Sequence, residues 1–91
     1  MKVGKYRHYK GNYYQVLGLA HNTETREKMV LYRGLYESPD LREEYGDDPW
    51  FVRPFDMFNE TVEVDGQIMP RFEYVSPMPD LPAPLNTEAG Q

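Results

Sequence analysis

Two apolar stretches separated by a short polar loop occupy residues 13–36, YYQVLGLAHNTETREKMVLYRGLY. The loop is NTETRE, so we predict two antiparallel strands over residues 14–21 and 28–36. Both odd and even positions of each stretch are apolar, whereas a sheet with one face in water would alternate. The sheet is therefore expected to be covered on both faces, or to bend so strongly that one strand serves two layers. Gly18 and Gly34 lie where such a bend needs space.

Further short strands and two helical turns complete the predicted fold. The additional strands are expected at residues 4–9, 50–53, 61–64 and 67–75. Asp65-Gly66 favours a two-residue hairpin turn between the last two of them. Prolines near the start of residues 38–46 and 54–60 predict one helical turn in each segment. The predicted fold class is mainly β: a small, strongly bent antiparallel sheet, an SH3-like barrel, with one or two short helical turns.

The domain organisation follows from where the apolar signal stops. Residues 1–75 are predicted to form a single β-barrel-like domain. Beyond them the chain reads SPMPDLPAPLNTEAGQ, which contains four of the eight prolines and no aromatic or β-branched residue except one threonine. Such a segment cannot bury enough surface to offset the entropy of ordering. We therefore predict a disordered, proline-rich tail at residues 76–91.

Composition excludes several classes of protein. The chain of 91 residues has no cysteine, which excludes disulfides, thiolate metal sites and a cysteine nucleophile. A formal net charge of -5 argues against a general nucleic-acid binder, although Lys5, Arg7 and Lys10 leave a local basic edge near the N-terminus. No apolar run is long enough to span a bilayer, and no charged-then-apolar leader is present. These features predict a cytoplasmic protein that does not associate with membranes.

No strong catalytic or cofactor motif occurs in the sequence, and we assign no catalytic residue, cofactor or metal. The two histidines, His8 and His21, could bind a metal together with Glu24, but their spacing selects no particular ion. His21 beside Glu24 is the best candidate for a general base, with ordering of the loop as the structural alternative. Arg53, between rigid neighbours, could bind a carboxylate or phosphate ligand, or could pair with Glu60 to hold the fold.

Three separated blocks, GKYRHYKGNYYQVLGLAHNTETREKMVLYRGLY, WFVRPFDMF and DGQIMPRF, follow one another between Gly4 and Phe72. Together they resemble domain of unknown function family 1653, a group of small bacterial proteins. The resemblance implies no activity, substrate or cofactor, because none is established for that family. Its polar and amphipathic positions are not all needed to hold a fold, so we place a candidate ligand-binding site on six of them. These are His8, His21, Glu24, Tyr32, Trp50 and Arg53.

Three hypotheses for the function remain at this point. The leading one is a non-enzymatic binding module that recognises a peptide, a nucleotide or a short single-stranded nucleic acid through an aromatic and arginine-containing groove. The second is a small metal-dependent or His/Glu hydrolase that uses His8, His21 and Glu24. The third is a protein-interaction or self-association subunit, such as a homodimer, whose exposed aromatic residues form the interface.

Overall fold

The computed structural model describes residues 1–78 of the chain. Within them, short strands dominate and two short helices interrupt them. The strands are β1 Gly4–His8, β2 Tyr13–His21, β3 Lys28–Gly34, β4 Trp50–Pro54, β5 Thr61–Val64, β6 Gln67–Pro70 and β7 Phe72–Ser76. The helices are α1 Pro39–Tyr45, between β3 and β4, and α2 Phe55–Phe58, directly after β4. The predicted mainly β class, with short helices, is confirmed.

Five of the strands form one antiparallel sheet in the order β4-β3-β2-β1-β7, and β5 pairs with β6 as a separate hairpin. The central β2–β3 pair is the hairpin that the sequence predicts. No pairing joins β4 to β7 within residues 1–78, so the sheet is open there. The SH3-like barrel therefore stays a prediction.

A bulge in β2 changes which side chains share a face. Val16 pairs with Tyr32, but Gly18 already pairs with Leu31, so that Leu17 is an extra residue in β2. One inserted residue turns all following side chains to the other face. Leu19 therefore lies on the same face as Val16, whereas uninterrupted alternation along the strand would place these two residues on opposite faces.

The hydrophobic core lies on the face of the sheet that α2 covers. Phe58 of α2 is only 1 % exposed, and it packs against Tyr6, Val16 and other residues of the sheet. The opposite face also has buried residues, since Met29 and Gln15 alternate with the core residues of their strands and both are buried. Buried residues therefore lie on both faces of the sheet.

The local turn and helix signals are reproduced with small shifts. Asp65 and Gly66 both have positive φ, 53° and 81°. Two successive positive φ angles are typical of the two-residue hairpin turn whose twist matches that of the flanking strands. In α1, Pro39 is the first helical residue and Gly46, with φ 97°, ends the helix. No residue of α1 is buried, so this acidic helix is a solvated excursion from the sheet.

Two boundaries differ from the prediction. The single strand expected over residues 67–75 is wrong, because Arg71 separates β6, which pairs with β5, from β7, which pairs with β1. Continuous alternation cannot reveal that one stretch has two different partners. Of the predicted tail at residues 76–91, Ser76 is the last residue of β7, and residues 79–91 lie outside the described part of the chain.

Candidate functional site

Aromatic rings from three strands meet at one end of the core. Tyr14 of β2 makes edge-to-face contacts with Tyr32 of β3 and Phe72 of β7, with ring centroids 5.5 Å apart in both pairs. Phe72 is stacked on Phe58 with centroids 4.0 Å apart and an interplanar angle of 3°. Such contacts add to the stabilisation from apolar burial and fix the orientation of each ring. The rings therefore form a rigid floor for the polar groups around them.

Arg53 of β4 lies on this floor. Its Nε donates a hydrogen bond to the Tyr32 hydroxyl at 3.3 Å, and its guanidinium carbon is 5.7 Å from the centroid of the Phe72 ring. Within residues 1–78 no carboxylate lies within ion-pair distance of Arg53. The side chain is only partly buried, and its two terminal amino groups donate to no other group within the same residues. Planar arginine held in this way is suited to a bidentate contact with an oxyanion.

His8, the last residue of β1, lies next to the same rings. Its ring centroid is 4.8 Å from that of Phe72 in an edge-to-face contact. The His8 Nδ1 accepts a hydrogen bond from the Lys10 backbone N–H at 3.2 Å. A neutral imidazole that accepts at Nδ1 carries its proton on Nε2, so Nε2 is a hydrogen-bond donor.

The surroundings of His8 favour this neutral form. Burial lowers the pKa of His8, and the positive charges of Arg53, Arg71 and Lys10 lower it further. The turn after β1 fixes the residue as well, because the His8 backbone N–H donates to the Asn12 carbonyl at 2.8 Å. His8 is therefore a hydrogen-bond donor whose position is fixed by the turn and whose charged neighbours are cationic.

Arg71 provides the contrast to Arg53. Its Nη2 forms an ion pair with Glu60 at 3.1 Å, and its backbone N–H donates to the Glu60 carbonyl at 2.9 Å. The Tyr9 backbone N–H donates to the Arg71 carbonyl at 2.9 Å, which links the β6–β7 junction to the end of β1. Arg71 therefore forms the ion pair with Glu60 that the sequence analysis considered for Arg53. Its positive charge also lies near His8.

Tyr36, just after β3, extends the aromatic surface towards solvent. It contacts Tyr14 edge to face at 5.5 Å, the two hydroxyls are 3.3 Å apart, and Tyr36 is 40 % exposed. The pKa of Tyr14 is raised, mainly by burial and to a smaller extent by this hydrogen bond. A Cβ at Gly34 would lie 2.6 Å from the Tyr36 ring, so the glycine makes room for the ring. On its other side, Tyr36 borders a cavity of about 110 Å³ that Phe51 also lines.

We call this arrangement the aromatic–arginine cluster. It consists of His8, Tyr14, Tyr32, Tyr36, Arg53, Arg71 and Phe72. Three of the six residues that the sequence nominated belong to it, namely His8, Tyr32 and Arg53. Tyr32 is only 5 % exposed, so it holds Arg53 rather than offering its own ring to solvent.

Trp50 lies on the other face of the sheet. The register pairs Trp50 with Arg33 and Phe51 with Tyr32, and adjacent residues of a strand point to opposite faces. The Trp50 Nε1 donates to Asp48 at 3.3 Å, and the same carboxylate pairs with Arg33 at 3.1 Å. Trp50 and Arg53 therefore do not line one groove.

His21 and Glu24 lie at the far end of the β2–β3 hairpin, and both are exposed. Asn22 organises this loop, because its Oδ1 accepts hydrogen bonds from the backbone N–H groups of Glu24 and Thr25 at 2.9 and 3.2 Å. His8 lies beside the start of β2 and His21 ends that strand, roughly 25 Å away at the usual rise per residue. The structure does not bring the two histidines together.

Four residues of the cluster were not among the six nominated from the sequence, namely Tyr14, Tyr36, Arg71 and Phe72. Tyr14 and Phe72 occupy ordinary apolar positions of their strands, and only the pairing of β1 with both β2 and β7 places them on either side of His8. Arg71 directly precedes Phe72, so its proximity to His8 depends on the same pairing. No local pattern could have found this set.

The described residues limit two other kinds of site. Among residues 1–78, no group of three or more histidine and carboxylate side chains is arranged to hold a metal ion. Neither helix in this part of the chain has the length and apolarity needed to cross a bilayer.

Comparison with known proteins identifies the family. A sequence model of the family described as "Protein of unknown function (DUF1653)" matches residues 4–74. The chain belongs to the DUF1653 family. A crystal structure of a DUF1653 protein from Bordetella bronchiseptica has 40 % sequence identity and a TM-score of 0.74, and the match covers 86 % of this chain and 91 % of that one. No curated protein matches the sequence. The whole aromatic–arginine cluster falls within the region that the DUF1653 model covers.

Proposed function

We propose that this DUF1653 protein is a non-enzymatic binding module whose ligand contacts the aromatic–arginine cluster. The observation that carries the proposal is the state of Arg53: the guanidinium is held by Tyr32 and Phe72, and no carboxylate among residues 1–78 neutralises it. An arginine fixed on a rigid aromatic floor with free terminal amino groups is preorganised for a ligand. The candidate ligands are a peptide, a nucleotide or a short single-stranded nucleic acid.

The geometry supports binding in preference to the hydrolase hypothesis. That hypothesis needs His8, His21 and Glu24 near one another, but they lie at opposite ends of β2. His8 faces arginines rather than a carboxylate, and a general base is normally oriented by an acidic partner. The binding hypothesis uses His8 in the neutral donor state that its surroundings favour.

The ligand surface that we propose runs from Arg53 past His8 and Tyr14 to Tyr36. Tyr36 is the ring with the most exposure in the cluster, so it supplies the stacking surface, and Arg53 supplies the charged anchor. We include an SH3-like curvature in the proposal, because the bulge at Leu17 and the irregular register between Lys5 and Tyr6 both bend the strands that carry this surface.

Nuclear magnetic resonance titration of isotope-labelled protein tests the proposal. The panel contains mononucleotides, a short oligothymidylate and short peptides. We expect chemical-shift changes to concentrate at His8, Tyr14, Tyr36 and the Arg53 Nε–H, and to be lost in Arg53→Gln. A binding site that maps to another surface, or no response to any member of the panel, would refute the proposal.

Arg26→Gln is the matched control for that experiment. Arg26 is an exposed arginine in the loop between β2 and β3, at the far end of the hairpin from the cluster. Both variants lose one positive charge, so they alter the net charge equally. A ligand whose affinity falls equally for both variants responds to the net charge and does not occupy the cluster.

A further inference from the structure

We propose that the aromatic–arginine cluster binds the terminal phosphate of a small ring-bearing phosphate monoester, with Arg53 and His8 as the hydrogen-bond donors and Tyr36 against the ring. This inference rests on the proposed binding function and names the chemical group that the module recognises.

The donor geometry is the first argument. The Arg53 Nε is already bonded to the Tyr32 hydroxyl, so the two terminal amino groups are the donors that remain. Neither of them donates a hydrogen bond to another group in residues 1–78, and the Arg53 side chain is only partly buried. Two parallel N–H groups on a plane match two oxygens of one phosphate.

His8 adds a donor of a different kind. Its Nδ1 accepts the Lys10 backbone N–H, which leaves the protonated Nε2 as a donor without a partner among the described residues. The groups that face His8 are Arg53 from β4, Arg71 from the β6–β7 junction and Lys10 from the turn after β1, together with the rings of Phe72 and Tyr14. All the charged groups in this set are cationic.

The charge balance favours a phosphate dianion over a carboxylate. Arg53, Arg71 and Lys10 contribute three positive charges around His8, and Glu60 neutralises only Arg71. An excess of two charges remains in a chain whose formal net charge is -5. A carboxylate would compensate only half of this local excess, whereas a phosphate monoester carries nearly two negative charges at pH 7.

The exposed ring argues for a ligand that has a ring of its own. Tyr36 contacts Tyr14, and Tyr14 contacts both His8 and Phe72, so that the aromatic surface is continuous with the phosphate donors. A base stacked on a tyrosine gains affinity without sequence preference. A mononucleotide has both parts, and it is the probe that we choose.

The test is a side-chain NMR titration at constant ionic strength with four probes: inorganic phosphate, adenosine monophosphate, acetate and a short peptide with a free C-terminal carboxylate. We expect phosphate and the mononucleotide to shift the His8 ring and the Arg53 Nε–H, and only the mononucleotide to shift Tyr36 as well. The mononucleotide should bind about 5- to 150-fold more tightly than phosphate, because one stacked base adds on the order of 1–3 kcal/mol.

Variants separate recognition by the guanidinium from attraction by charge. Arg53→Gln should weaken binding of the mononucleotide by at least about tenfold, and Arg26→Gln should leave it within about twofold. Arg53→Lys keeps the charge but loses the planar fork, so an intermediate loss is expected. Backbone spectra of each variant establish that it is folded, and Arg53→Lys serves as the test if Arg53→Gln does not fold.

The outcomes distinguish this inference from the binding function on which it rests. If the peptide or acetate shifts Arg53 and His8 while both phosphates shift nothing, the phosphate proposal is refuted and the binding module stands. If phosphate binds as tightly as the mononucleotide, the role of Tyr36 is refuted. Silence from all four probes and from the oligothymidylate refutes both proposals.

Discussion

The removal of Phe58 from the core is the perturbation whose size the structure defines best. Phe58 is 1 % exposed, is stacked on Phe72 at 4.0 Å and has edge contacts with Tyr6 at 5.6 Å and Tyr32 at 5.3 Å. Truncation of a buried phenylalanine to alanine costs about 3–5 kcal/mol. A chain of this length has roughly 5–14 kcal/mol of stability in total. Phe58→Ala is therefore expected to lose a large fraction of it.

A smaller change separates the aromatic contacts from the volume. Phe58→Leu fills most of the space but loses three ring pairs, and each such pair is worth on the order of 0.5–1.5 kcal/mol. We expect this variant to lose about 1–2 kcal/mol, because leucine regains part of that loss by packing. In a domain of this size the Tm should fall by roughly 4–8 °C per kcal/mol.

The assay is urea denaturation followed by the fluorescence of Trp50, the only tryptophan of the chain, together with circular dichroism. Met57→Ala is the matched control, because Met57 precedes Phe58 in α2 and is 43 % exposed. Its free energy of unfolding should change by less than about 0.5 kcal/mol. If Phe58→Ala costs no more than Met57→Ala, α2 does not seal this face of the sheet and the description of the core is wrong.

Three further predictions concern the cluster and the sheet edge. Arg53→Gln should raise the pKa of His8, measured by NMR, because Arg53 is one of the charges that lower it. Folding raises the pKa of Tyr14 above 10.0, so stability should fall as the pH rises above about 10, and Tyr14→Phe should lessen that fall; an unchanged profile would contradict this. Gly4→Ala should strongly destabilise the fold in thermal unfolding, since its Cβ would lie 2.5 Å from the Ser76 carbonyl at a φ of 139°; an unchanged Tm would contradict the β1–β7 packing.

Local sequence patterns predicted the central hairpin, the turn at Asp65-Gly66 and both helical turns. Each of these depends on residues that are adjacent in sequence, such as the glycine that supplies positive φ in the turn. The helix at Pro39–Tyr45 begins and ends at the proline and glycine that mark it in the sequence. For these elements, backbone preferences and tertiary structure agree.

Two features that sequence patterns missed depend on long-range pairing. The division at Arg71 follows from the partner of each strand, since β6 pairs with β5 and β7 with β1. The extra residue at Leu17 reverses the faces of half a strand, and no periodicity marks it. The separation of Trp50 from Arg53 is different, because it follows from local alternation: the two residues are three apart in a strand, and odd separations point to opposite faces.

The charge of the whole chain bears on the size of the ligand. A formal net charge of -5 repels an anion at long range, whereas the excess of positive charge around His8 attracts it at contact. A mononucleotide places its charge on the cluster alone, whereas each added phosphate of an oligonucleotide is subject to the repulsion of a chain whose formal net charge is -5. Affinity should therefore fall, or stay level, from a mononucleotide to a tetranucleotide at low salt, opposite to the trend of a basic single-strand binder. A rise in affinity with length, which isothermal titration calorimetry would detect, would contradict recognition by Arg53 and His8 as the sole anchor.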